Sequence, residues 1–151
     1  MSWRRKELAR FSNALTWLPE EEARRAFECA NSGTARDRYG LNERIWDIRE
    51  HWDVEQVGLS MTRVKLAQHA PDEEFIMYFG PEDVCRVVRG HFLDQWQNMF
   101  CPSRDDVIIM PESRVWCLFY CHEDEFEAGR RKEPNKAPEP TPGSVTLRAS
   151  S

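Results

Sequence analysis

The run His122-Glu123-Asp124-Glu125-Phe126-Glu127 puts one imidazole and four carboxylates into six residues. A histidine beside carboxylates has its charged form favoured, and hard oxygen ligands suit a divalent cation. In an extended chain, however, His122, Asp124 and Phe126 face one side while Glu123, Glu125 and Glu127 face the other. Convergence on one ion would need a sharp turn. The run therefore reads as the acidic end of a strand, with Glu123, Asp124, Glu125 and Glu127 as an edge for a basic partner. No metal site and no cofactor are expected. His91 and Asp94, three residues apart, share a helix face on which the carboxylate could orient the imidazole. Catalysis there would need a nucleophile or a second carboxylate from elsewhere. Arg104 lies in Ser103-Arg104-Asp105-Asp106, a loop leading into a strand, where binding residues often sit. The same segment reads as a turn in which Asp105 or Ser103 bonds nearby backbone. His91, Asp94, Arg104 and His122 form the candidate ligand-binding set, whereas His51 and His69 have no companions in the sequence.

The more specific signatures of chemistry are absent. The seven glycines never cluster into a phosphate-cradling loop, and HExxH, GxSxG and CxxC do not occur. Five cysteines without close pairing read as reduced thiols. Cys117 and Cys121, four apart in a strand, would lie roughly 13 Å apart and could not share a metal. Six tryptophans are many for 151 residues. On a helix Trp46 and Trp52 would be about 120° apart, which turns one of them outward. Both are taken as partner-binding aromatics, since a ring with a polar edge suits a recognition surface.

Charge is uneven along the chain. Twenty-one basic and 26 acidic side chains give −5, but residues 41–133 alone carry −8. An acidic surface repels phosphate backbones and attracts basic partners, so nucleic acid is disfavoured as a ligand. The longest apolar runs, 75–79 and 115–121, fall far short of the ~20 residues of a membrane span. No membrane partner is expected. The start, MSWRRKELARF, has no apolar stretch behind its basic residues, which predicts a cytoplasmic protein.

These side chains need elements to hold them. Over 4–18 the large apolar residues fall at Leu8, Phe11, Leu15 and Leu18, a spacing that predicts one helix. Pro19 then opens a second helix, with Glu20, Glu21 and Glu22 at its positive end and Ala23, Ala26, Phe27 and Ala30 inward. Asn31-Ser32-Gly33 closes it. After a loop over 33–41, Asn42 caps a third helix with Ile45, Ile48 and Trp52 inward. The stretch 54–70 fits a strand through Val57, Leu59 and Met61 and equally a helix through Met61, Val64 and Lys65. Residues 75–79 read as a central strand, and Pro81-Glu82-Asp83 opens a helix above Val84, Val87 and Val88. Another helical face follows at Phe92, Leu93, Trp96, Met99 and Phe100. Two apolar runs flank Pro111-Glu112-Ser113-Arg114 as a hairpin. In its second strand Val115, Cys117, Phe119 and Cys121 alternate with Trp116, Leu118 and Tyr120, so the strand should be covered on both faces. The fold class is α+β: N-terminal helices packed on a small, largely antiparallel sheet that includes a C-terminal hairpin.

One domain is expected over 1–133. The remaining segment, PNKAPEPTPGSVTLRASS at 134–151, has four prolines and only Val145 and Leu147 as large apolar groups. That is too little burial to order it, and a disordered tail is expected. The segment resembles the proline-containing tails of bacterial open reading frames that run through recombination sites of mobile gene cassettes, such as those of integrons. The resemblance covers the tail alone and implies a mobile gene, without implying any chemistry.

Two functions follow as expectations. The first is a protein-interaction module that binds a basic protein partner, as an immunity or antitoxin-like component of a mobile cassette. The second is a small enzyme or ligand-binding protein with a site near His91, His122 and the 101–106 loop. Exposed aromatics would also be compatible with a homodimer.

Overall fold

The computed structural model describes residues 2–132. The tail, with the resemblance it carries, lies outside them. The chain runs α1 (Trp3–Glu7), a 3-10 turn (Ala9–Phe11), β1 (Leu15–Trp17), α2 (Glu20–Asn31), β2 (Trp46–Asp53), α3 (Val54–Val57), α4 (Leu59–His69), β3 (Glu74–Gly80), β4 (Asp83–Val88), α5 (Arg89–Met99), β5 (Val107–Met110), β6 (Trp116–Cys121) and β7 (Glu125–Arg131). The seven strands form one sheet in the order β1-β4-β3-β5-β6-β7-β2, antiparallel at every pairing. The α+β class is as the sequence indicates. No helix among the described residues is long and apolar enough to cross a membrane.

Strict alternation sorts the strand side chains onto two faces. Phe75, Met77 and Phe79 of β3, Val107 and Ile109 of β5, Trp116, Leu118 and Tyr120 of β6, and Phe126 and Ala128 of β7 share the first face. Leu66 of α4 and Phe92, Leu93, Trp96 and Met99 of α5 cover them. Ile76, Tyr78, Ile108, Met110, Cys117, Phe119 and Cys121 form the second face, beneath Ala23 and Ala30 of α2. Both faces of β6 are buried, as its composition requires.

Three expected helices are corrected. The first stops early: Ser2 accepts from the Arg5 N–H at 3.1 Å and caps α1, but the helix ends at Glu7. Leu15 and Trp17 instead pair with Val87 and Cys85 of β4. The apolar spacing was real, yet ladder hydrogen bonds at an open sheet edge offered the backbone more than a helix interrupted by Ser12 and Asn13. The second is the Asn42 helix, which lasts a single turn, with Ile45 and Trp46 N–H bonding the Asn42 carbonyl. Residues 46–53 then pair along their length with β7. The third is 81–88: Pro81 and Glu82 make the tight β3–β4 turn, and the valines lie in β4. β-Branched residues favour a strand where a partner is at hand. The ambiguous 54–70 is helical, α3 being capped by Asp53, whose carboxylate accepts from Gln56 N–H at 3.1 Å. Gly58, at φ 90°, permits the break before α4.

The bulge in β2 corrects the tryptophans. Ile48 pairs with Gly129 and Glu50 with Ala128, which leaves Arg49 as an extra residue. One added residue reverses the facing, so Trp46 enters the second face and Trp52 the first. Both are buried, at 2% and 4% exposure, and neither meets a partner at the surface.

Candidate functional site

Beyond the carboxyl end of α2, the second face is roofed by loop 33–41 instead of by a helix. The loop closes on itself through Ala35 N–H to the Gly40 carbonyl, 2.8 Å, and Asn42 N–H to that of Gly33, 2.9 Å. Glu127 of β7 pins it from below. One carboxylate oxygen accepts from Leu41 N–H at 2.7 Å and the other from Arg38 Nη1 at 3.0 Å. A Cβ on Gly40 would meet Arg38 Nη1 and lie 2.6 Å from that carboxylate, so a larger residue there would push the Arg38–Glu127 pair aside. Glu127, expected on a partner-binding edge, is a buried structural group.

The facing wall is built on Asp105, whose side chain is fully buried. Arg4 donates to both its oxygens, at 3.1 and 3.0 Å, in the bidentate geometry that guanidinium suits best. Arg104 Nε donates at 2.8 Å, as does Cys101 N–H. Asp105 thus bonds nearby backbone, as the turn reading requires. Burial opposes its ionisation, but the hydrogen bonds from Arg104, Arg4 and Cys101 outweigh it and hold its pKa below the ordinary value. Arg104 also forks onto Glu7 at 2.8 and 2.9 Å. Its hydrogen bonds to Asp105 and Glu7 raise its pKa further.

Between loop and wall lies an open cleft of about 670 Å³. Phe27, Phe79, Ile108 and Phe119 supply its apolar surface, and Arg4, Arg36, Arg38, Arg104, Asp37 and Asp106 its charge. Arg4, Arg38 and Arg104 are engaged with carboxylates of the fold. Arg36 is exposed and makes no ion pair among the described residues, so its guanidinium is free to meet a ligand. Tyr39, exposed, stands beside it and touches the His122 ring edge-on at 4.5 Å. His122 Nδ1 and N–H both meet the same oxygen of Asp106, at 3.0 Å.

The predicted ligand-binding set is thus divided by the sheet. Arg104 lines the cleft, and His122 stands at its rim through Asp106 and Tyr39. His91, on the first turn of α5 over the opposite face, packs edge-on against Phe11 at 5.2 Å. Burial lowers its pKa, only partly offset by Asp94. Asp94 bonds Arg63 of α4 at 2.8 Å and does not orient His91. Among the described residues His91 and His122 share no contact partner. Of the expected acidic edge, Glu123 alone is fully exposed. Asp124 accepts from the Tyr120 hydroxyl at 2.7 Å, and Glu125 meets His51 Nε2 at 2.9 Å. His69, companionless in the sequence, bonds Glu50 at 2.8 Å and stacks on Trp52.

Arg36, Arg38 and Tyr39 went unnoticed in the sequence. Their signal was density: three arginine-or-tyrosine side chains within four residues of one loop. The cleft lining contains no Cys, Ser, Lys or His among the described residues, and Thr34 Oγ1 donates to the Asn31 carbonyl at 2.7 Å. No family profile, no characterised protein and no solved structure matches this chain.

Proposed function

We propose that this protein is a binding protein whose cleft holds a small ligand joining an anionic group to a flat apolar body. The observation that carries this reading is Arg36: a guanidinium without an ion pair among the described residues, on the wall of a cleft that it lines together with Arg104, Tyr39 and Phe27. A guanidinium pairs carboxylate or phosphate bidentately, and aromatic walls supply the apolar contact. The other arginines are held by internal carboxylates and shape the wall without leaving a strong local field. The test is calorimetric titration with aryl carboxylates and aryl phosphates against their neutral amide or alcohol analogues. Anionic members should bind and neutral ones should not, and Arg36→Glu should abolish binding. Equal affinity for both series, or an unchanged Arg36→Glu, defeats the proposal.

The acidic excess favours a second reading, docking of a basic protein partner in an immunity or antitoxin-like role. Glu20, Glu21 and Glu22 stand exposed in the first turn of α2, with Glu82 beside them through a shared Arg24. Capture of a basic partner from host lysate should weaken as salt rises and vanish in Glu21→Lys/Glu22→Lys. Capture insensitive to both would reject this reading.

A further inference from the structure

The β6–β7 turn supplies the sharp reversal that an extended 122–127 lacks. Asp124 adopts φ 64°, its N–H bonds the Cys121 carbonyl at 2.9 Å, and Cys121 pairs across the hairpin with Glu125. As a result the Cys121 sulfur and one oxygen each from Glu123 and Glu125 lie within 4.8 Å of one another. We propose that Cys121, Glu123 and Glu125 form a site for a thiophilic divalent cation, with zinc the ion their chemistry fits.

Two observations carry it. Cys121 is 4% exposed, and its thiol, which donates no hydrogen bond among the described residues, lies within 4.8 Å of an oxygen of each carboxylate. From the neighbouring strand, His51 Nε2 bonds Glu125 at 2.9 Å, the outer contact that orients a ligating carboxylate. Burial, aided by the nearby glutamates, raises the pKa of this thiol. A cation reverses that balance, taking the place of the proton and drawing the thiolate and both carboxylates toward it.

The ligand chemistry narrows the ion. Magnesium and calcium require an all-oxygen shell, whereas a thiolate with two carboxylates suits zinc and its softer analogues. Zinc–ligand bonds of 2.0–2.3 Å place tetrahedral ligand atoms about 3.5 Å apart. The set must therefore contract by about 1 Å, which Glu123, an exposed side chain at the turn, can supply. Three protein ligands leave the fourth position to water.

The test uses the reduced full-length chain with cobalt(II) and zinc(II), read by equilibrium dialysis and by the thiolate-to-cobalt charge-transfer band. One cobalt per chain should bind, give that band, and be displaced by one equivalent of zinc. Cys121→Ser should abolish the band, and Glu123→Gln should weaken binding at least tenfold. A Cys29→Ser/Cys101→Ser background, which removes the more accessible thiols, should leave both signals intact. Uptake that is not one per chain, or a band that survives Cys121→Ser or disappears with Cys29 and Cys101, overturns the proposal. Because Glu123 is exposed, Glu123→Gln folds and decides the matter should Cys121→Ser fail to fold. Neither readout depends on the anionic ligand proposed for the cleft, so the two proposals fail separately.

Discussion

The two faces of the sheet are made from the same strands and end differently. On the first face, α4 and α5 cover a continuous aromatic cluster in which Trp96, Phe100, Tyr120 and Phe126 meet at ring-centroid distances of 5.0 to 6.3 Å. On the second, α2 covers part of the sheet and a loop rich in arginine spans the rest, leaving a cleft. A helix can bury a stripe with its own backbone satisfied, whereas a loop brings polar groups that must be met by side chains. Glu127 meets the Leu41 N–H and Arg38. The difference teaches that a buried carboxylate, Glu127, holds the roofed part of the second face where hydrophobic contacts hold the first, and that a cleft stays open beside that roof.

That contrast can be broken most severely from the first face. Phe126→Ala should cost about 3–5 kcal/mol, read by denaturant melts. Phe119→Ala, on the cleft lining at 7% exposure against 0% for Phe126, should cost less. Asp105→Asn should follow closely, at about 3–5 kcal/mol, because it strands Arg4 as a buried charge. It also sharpens the comparison through pH. The folded-state pKa of Asp105 is lowered, so its contribution is present above the ordinary carboxylate value of about 4 and is lost as pH falls through the folded value. Thermal melts of the wild type should drop below about pH 4 more steeply than those of Asp105→Asn. Glu127→Gln should cost about 1–3 kcal/mol and raise amide exchange at Leu41, freeing loop 33–41 without touching the first face. Smallest in stability, Arg36→Glu should lie within about 0.5 kcal/mol of wild type while abolishing anionic-ligand binding.

What could be read from the sequence differs by element for a physical reason. β3, β5 and β6 were legible because runs apolar on both faces, bounded by turns, have few other structures open to them. α2 and α5 were legible from charge at the helix start and from a wide apolar stripe. β1, β2 and β4 carry apolar spacings that also fit a helix, and only the partner strand settles them. Trp46 and Trp52 illustrate the limit: one bulged residue, Arg49, sends them to opposite faces, and nothing local announces it. Of the carboxylates of 122–127, Glu127 is the one the sequence misplaces, since it turns inward to a loop 86 residues earlier.

Composition and pattern alone determined the α+β class, the doubly buried hairpin strand and the absence of the common catalytic motifs. These rest on local periodicity and residue type, which travel with the chain wherever it goes. Which histidine meets which acid, where arginine stands free, and whether a thiol faces two carboxylates were decided only by the tertiary structure. Such pairings join residues far apart in sequence, and their geometry exists only once strand order, bulge and turn have fixed the side of the sheet on which each one stands.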